Sequence, residues 1–132
     1  MADLATERAA FLAGFGDGPA LLAALRDATL VVPLDVDGKF FTLVWSGLPW
    51  MVAFTDAQRC ARFASAAGRD LDAVEICQLR GASVVDELLD RAPTPTGLVI
   101  DAADPGVLVF PPIASLTPHR YVDEETGQVV VT

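Results

Sequence analysis

The sequence predicts an α+β fold: a mixed, largely antiparallel sheet that starts with a three-stranded meander and packs against helices. Three observations carry that expectation. The hydrophobic period changes from helical spacing in the first 26 residues to strict alternation from Thr29 onward. Turn dipeptides, Asp37-Gly38 and Pro105-Gly106, separate alternating apolar runs. Candidate capping residues, Thr55 and Ser83, stand directly before two later stretches of helical period.

Residues 3–26 read as two helical pieces broken by "GFGDGP". Leu4, Phe11, Leu12 and Phe15 fall on one stripe, and Asp17-Gly18-Pro19 supplies a cap followed by proline in the first turn. Leu21, Leu22 and Leu25 give the second piece its buried face.

"TLVVPLDVDGKFFTLVWS" then predicts two strands around Asp37-Gly38, the dipeptide favoured in a two-residue type I′ hairpin. That turn sets Leu34 opposite Phe41, Val32 opposite Leu43 and Leu30 opposite Trp45, a wholly apolar face. The other face pairs Asp35 with Phe40, Pro33 with Thr42 and Val31 with Val44, a mixed surface open to water. Pro33 has no amide hydrogen, which places the first strand at a sheet edge. A four-residue loop from Ser46 to Pro49 then sets Trp45 opposite Trp50, Leu43 opposite Val52 and Phe41 opposite Phe54, so both tryptophans are expected in the core.

Thr55 and Gln58 match the T-x-x-Q capping box, with Asp56 in the first turn where its charge favours the helix dipole. Ala57, Cys60, Ala61 and Ala64 line one side of that helix, and Gly68 ends it. "AVEICQL" reads as a strand, and "SVVDELLDRA" as a helix capped by Ser83 with Val84, Val85, Leu88 and Leu89 inward. "LVI" and "VLVF" are short strands joined by "DAADPG", with Pro105-Gly106 at the centre of a type II turn. "HRYVDEETGQVVVT" predicts a terminal hairpin turning near Thr126-Gly127, packed on the sheet or on another copy of the chain. The whole, 1–132, is one domain: a helical segment 1–27, a core 28–112 and a C-terminal extension 113–132.

Composition excludes several classes of function. Hydrophobic residues form 52% of the chain and charged ones 20%, too apolar for disorder, yet no apolar run approaches the roughly 20 residues of a spanning helix. Asp3 and Glu7 stand where a signal peptide would carry lysine or arginine, so the expected location is the cytoplasm, with no membrane insertion. A net charge of −9 repels phosphate backbones and anionic lipid, which removes nucleic acid as a partner. One lysine against eight arginines is the bias of a high-GC, actinobacterial-type coding sequence.

The search for chemistry yields little. His119 is the only histidine, and no Cys/His spacing suits zinc, so neither a metal nor a cofactor is expected. Cys60 and Cys77 lie in apolar patterns that raise a thiol's pKa, against a Cys-His nucleophile. Asp101 and Asp104 form the best local pair of acids, and a hydrogen-bonded Asx turn is the expected role. "AGFGDGP" lacks the Gly-Lys-Ser/Thr ending of a phosphate loop and joins two helices. No catalytic residue is assigned.

The order "LVVPL", a meander ending "LPWMVAFTD", a helix, a strand, a second helix and "GLVIDAADPG" resembles the SseB amino-terminal domain family over residues 22–112. Val32-Pro33-Leu34, Phe54-Thr55 and Gly97-Leu98-Val99-Ile100 carry the resemblance, whereas residues 101–106 are longer than the family's asparagine-proline-glycine turn. The resemblance implies a small cytoplasmic binding or scaffolding module without enzymatic activity. Two functional expectations follow. The first is a non-catalytic, homodimeric interaction domain of unspecified protein partner, using Val31, Pro33, Phe40, Thr42 and Val44. The alternative is a small-molecule sensor or hydrolase-type enzyme with a pocket between sheet and helices, served by Thr42, Arg80 and His119.

Overall fold

In a computed structural model of the chain, residues 4–12, 14, 18–34, 38–68 and 75–132 are described, the backbone alone for 11 and 12. Helices α1 (Leu4–Leu12) and α2 (Gly18–Asp27) lead into β1 (Thr29–Pro33), β2 (Thr42–Trp45) and β3 (Leu48–Ala53). After α3 (Ala57–Ala66) and β4 (Ile76–Arg80), α4 (Gly81–Ser83) runs directly into a π-helical turn, Val84–Leu89. β5 (Gly97–Ile100), β6 (Leu108–Phe110), β7 (Arg120–Val122) and β8 (Val129–Val131) complete the chain. The fold is α+β with a mixed, largely antiparallel sheet. Phe15, Asp17, Asp35, Asp37, Asp70 and Asp72 lie outside the described residues.

The central sheet has the order β2-β3-β5-β6, parallel between β3 and β5 and antiparallel elsewhere. The expected meander is cut short at its first strand. β1 pairs with β4 instead, Leu30 facing Leu79 and Val32 facing Cys77, and it meets β3 only where Val31 and Phe54 exchange both backbone hydrogen bonds at 2.8 Å. In β3, Trp50 pairs with Leu43 on the flank where Phe54 pairs with Val31; alternation of backbone direction therefore puts β1 and β2 end to end along the same side of β3. Between them Leu34 and Phe40 form an antiparallel bridge, and Phe41 N–H donates to Pro33 O at 3.1 Å. Gly38, at φ 75°, lies just before that bridge, and Asp37 lies outside the described residues.

β4 pairs with the flank of β1 opposite to the Pro33 nitrogen, so the missing amide costs the β1–β4 ladder nothing, and on its own flank Pro33 only accepts, from Phe41 N–H. The β2–β3 turn is two residues, Ser46 (φ 52°) and Gly47 (φ 77°), the positive pair that a type I′ turn requires. It sets Trp45 opposite Leu48 and Leu43 opposite Trp50, a register two residues from the expected one. An even slip leaves each side chain on its expected face but changes which neighbour covers it.

Helices cover both faces. Leu30, Val32, Met51, Ala53, Leu98, Ile100, Leu108 and Phe110 join Leu21 and Leu25 of α2 and Val84, Val85 and Leu89 of the π-helical segment in the main core. The opposite face packs Val31, Val52 and Phe54 against Cys60 of α3, with Phe63 at the edge of that cluster. Each fully buried aliphatic or aromatic side chain contributes about 1.5–3 kcal/mol. Two glycines permit the close packing. A Cβ on Gly81 would sit 1.7 Å from the Leu25 carbonyl oxygen, and one on Gly97 would sit 2.2 Å from the Trp50 indole.

The caps differ from expectation. α3 is capped by Asp56, whose carboxylate accepts from the Arg59 amide at 2.7 Å, while Gln58 is exposed and Thr55 is engaged elsewhere. Ser83 has αR geometry and makes no capping bond, because the helix starts at Gly81, whose amide donates to Ala28 O at 2.7 Å. Pro105-Gly106 is not a type II turn, since Gly106 lacks positive φ; the positive angle falls one turn earlier, on Ala103 at 66°. The terminal hairpin forms, with Gly127 at φ 72°, and Val122 N–H donating to Pro112 O holds it to the chain ahead of it.

Candidate interaction surface

β2 is the one strand of the central sheet in which every residue is exposed. Its β-branched and aromatic sequence, Thr-Leu-Val-Trp, favours the extended state, and the type I′ turn returns it against β3. In a two-residue hairpin the pair flanking the turn is hydrogen-bonded, here Trp45 with Leu48, and Leu43 with Trp50 follows. The amides and carbonyls of Thr42 and Val44 therefore point away from β3. β4 shields the equivalent flank of β1 but does not extend to β2.

The side chains are as open as the backbone. Val44 is 82% exposed, Trp45 63% and Leu43 38%. Trp50, by contrast, is buried, laid on Gly97 with its Nε1 donating to Trp45 O at 3.0 Å. The two indoles stand 5.5 Å apart, so Trp45 roofs Trp50 and turns its other side to solvent. The expectation of two core tryptophans thus holds for Trp50 and fails for Trp45, because α3 reaches only the Phe54 end of this face.

At that Phe54 end lies a charge cluster. Asp101, fully buried and held at φ 59°, accepts from the Thr55 amide at 2.8 Å, from Thr55 Oγ1 at 2.9 Å and from Arg8 Nη1 at 2.5 Å. Arg59 pairs with Asp56 and places Nε 3.3 Å from Asp104 and 3.8 Å from Asp101, while Arg62 lies 3.6 Å from Asp104. The backbone amide of Arg59, reinforced by the Arg59 and Arg62 charges, holds the Asp56 carboxyl below its usual range; the Gly106 amide and the same arginines do so for Asp104. Three carboxylates meet three guanidinium groups, which leaves no net charge for a ligand. Asp104 does form the expected Asx turn, accepting from Gly106 N–H at 2.9 Å, whereas Asp101 serves as a buried anchor joining α1, α3 and β5.

Two grooves lie on the other side of the molecule. One, of roughly 510 Å³, runs between the sheet and the π-helical segment past Phe40, Thr42, Met51 and Leu88. The other, roughly 500 Å³, holds His119, whose Nδ1 lies 2.7 Å from Asp90 and whose backbone amide donates to the same carboxylate at 2.8 Å. Thr42 lines the first of these grooves and His119 the second, while Arg80 ends β4 with its guanidinium 3.4 Å from Asp27. Cys60 belongs to the α3-side core and Cys77 to β4, and burial pushes both thiols up, away from nucleophilic use. Among the described residues no three His, Cys, Asp or Glu side chains converge as metal ligands, and no helix is long and apolar enough to cross a membrane.

Compared with protein-family models, curated proteins and solved structures, the chain matches none.

Of the surface residues read from the sequence, Thr42 and Val44 are exposed, Phe40 is half-buried, and Val31 and Pro33 are interior. Leu43 and Trp45, expected in the core, belong to the surface. Their apolar character gave no warning; the only signal was Ser46-Gly47, which a two-residue turn accommodates as readily as a longer loop.

Proposed function

We propose that the protein is a non-catalytic, self-associating interaction module of the SseB-like type, acting in the cytoplasm and docking through β2. The observation that carries this reading is a four-residue edge strand with its ladder groups unpaired and Val44 82% exposed. Such an edge is a template for another strand, and an exposed Trp beside it supplies apolar area at low entropic cost. The two free thiols suit a reducing compartment. The resemblance of residues 22–112 to the SseB amino-terminal domain points the same way, toward binding and not turnover.

Sedimentation equilibrium tests the reading. Wild-type protein is expected to dimerise as its concentration rises from about 1 μM to about 1 mM, and Val44→Arg is expected to stay monomeric with its melting temperature little changed, since a surface substitution alters stability by only about 0.5 kcal/mol. A wild-type chain that is monomeric throughout that range overturns it.

A further inference from the structure

We infer that two copies join through β2 itself, antiparallel about a two-fold axis at Leu43, so that the two central sheets become one continuous sheet; this rests on the self-association proposed above. The pattern of the strand is self-complementary in that register. The outward-pointing residues are Thr42 and Val44, and pairing Thr42 of one copy with Val44 of the other satisfies both their amides and both their carbonyls, giving four backbone hydrogen bonds across the axis. Leu43 then faces its own counterpart in a non-hydrogen-bonded pair, where the side chains come closest. Trp45 falls opposite Phe41 of the other copy, whose ring meets Phe63 of α3 at 5.9 Å, so the indole extends the covered end of that face.

Among the edges of the central and β1–β4 sheets, charge and edge chemistry select the same strand. Residues 40–55 carry no charged side chain, although the chain as a whole has a net charge of −9. Close contact along β2 therefore opposes no like charges directly, and the remaining long-range repulsion is screened beyond about 8 Å at physiological salt. The opposite edge, β6, is followed at once by Pro111-Pro112, and Leu108 and Phe110 turn inward. β4 carries Glu75 before it and Arg80 at its end. Both are guarded in the way edges usually are; β2 has no proline, charge or bulge. Burying a four-residue edge with one indole per copy covers well under about 1,200 Å² in total, which places the dimer among weak, reversible ones, with dissociation in the micromolar range.

The test is disulfide trapping with single cysteines placed in a Cys60→Ala, Cys77→Ser background whose circular dichroism matches the native chain, with copper–phenanthroline as oxidant. Leu43→Cys is expected to give a covalent dimer at least tenfold faster than Val44→Cys, because a non-hydrogen-bonded pair brings Cα atoms to about 4.5 Å while two Val44 positions stand about 8 Å apart. In the native chain, hydrogen exchange at the Thr42 and Val44 amides is expected to slow as concentration rises, and association is expected to tighten on raising NaCl from about 20 to about 300 mM. A dimer that traps equally at both positions, or that protects other amides, overturns this geometry while leaving self-association standing; a strict monomer overturns both.

Discussion

β1 and β2 are both short, apolar and antiparallel to β3, and they lie end to end along the same flank of it, yet their surroundings are opposite. β1 has β4 on its free side and core on both faces, so Leu30 and Val32 are fully buried and Val31 nearly so. Among the described residues no strand pairs with the free side of β2, and Leu43, Val44 and Trp45 are exposed. The lesson is that hydrophobicity sets what a strand can cover, while neighbours decide whether it is covered.

The sealed end of that flank can be broken most severely at its buried acid. Asp101→Ala removes the acceptor of two Thr55 hydrogen bonds and leaves Arg8 facing an interior void; breaking a buried pair in this way costs about 3–5 kcal/mol, measurable as a loss of urea stability. Retention of full stability by this variant would show that the cluster does not fasten the sheet.

The contrast between the two strands is tested directly by matched truncations. Leu30→Ala is expected to cost about 2–5 kcal/mol through lost burial and a cavity. Leu43→Ala is expected to cost less than about 1 kcal/mol in the monomer. Equal costs would mean that β2 is covered in solution even when the protein is dilute.

A smaller effect comes from acid. Asp56, Asp86 and Asp104 have folded pKa values below their unfolded ones; Asp86 owes this to hydrogen bonds from Arg26. Their contribution is fully present above the unfolded value of about 4 and fades as pH falls through the folded values, because the unfolded chain then binds more protons. Denaturation midpoints followed from pH 6 to pH 3 are expected to drop below about pH 4, and the Asp56→Asn, Asp104→Asn double variant is expected to show a shallower drop. An unchanged slope in that variant would remove these two carboxylates from the acid response.

Much of the architecture was legible because it is written in local chemistry. Alternation located the strands, Gly68 and Gly127 marked a helix end and a turn, and the valines and leucines of the π-helical segment face inward as their spacing requires. Capping was less legible: Thr55 and Asp56 are both good caps, and only the arrival of Asp101, 46 residues on, draws Thr55 away and gives the role to Asp56. Arg8 gave no sequence signal at all, since its partner lies 93 residues distant.

By itself, then, the sequence determined the fold class and the element order, because backbone propensity and hydrophobic period act within a few residues, whereas Leu30 and Val32, expected on the face of Phe41 and Phe54, lie on the opposite one and Val31 takes their place. Tertiary structure alone decided that β1 seeks β4 and that Trp50 is buried while Trp45 is bare. Those outcomes depend on which distant segment wins the free edge of each strand, and neighbouring apolar runs of equal quality compete for it on nearly equal terms.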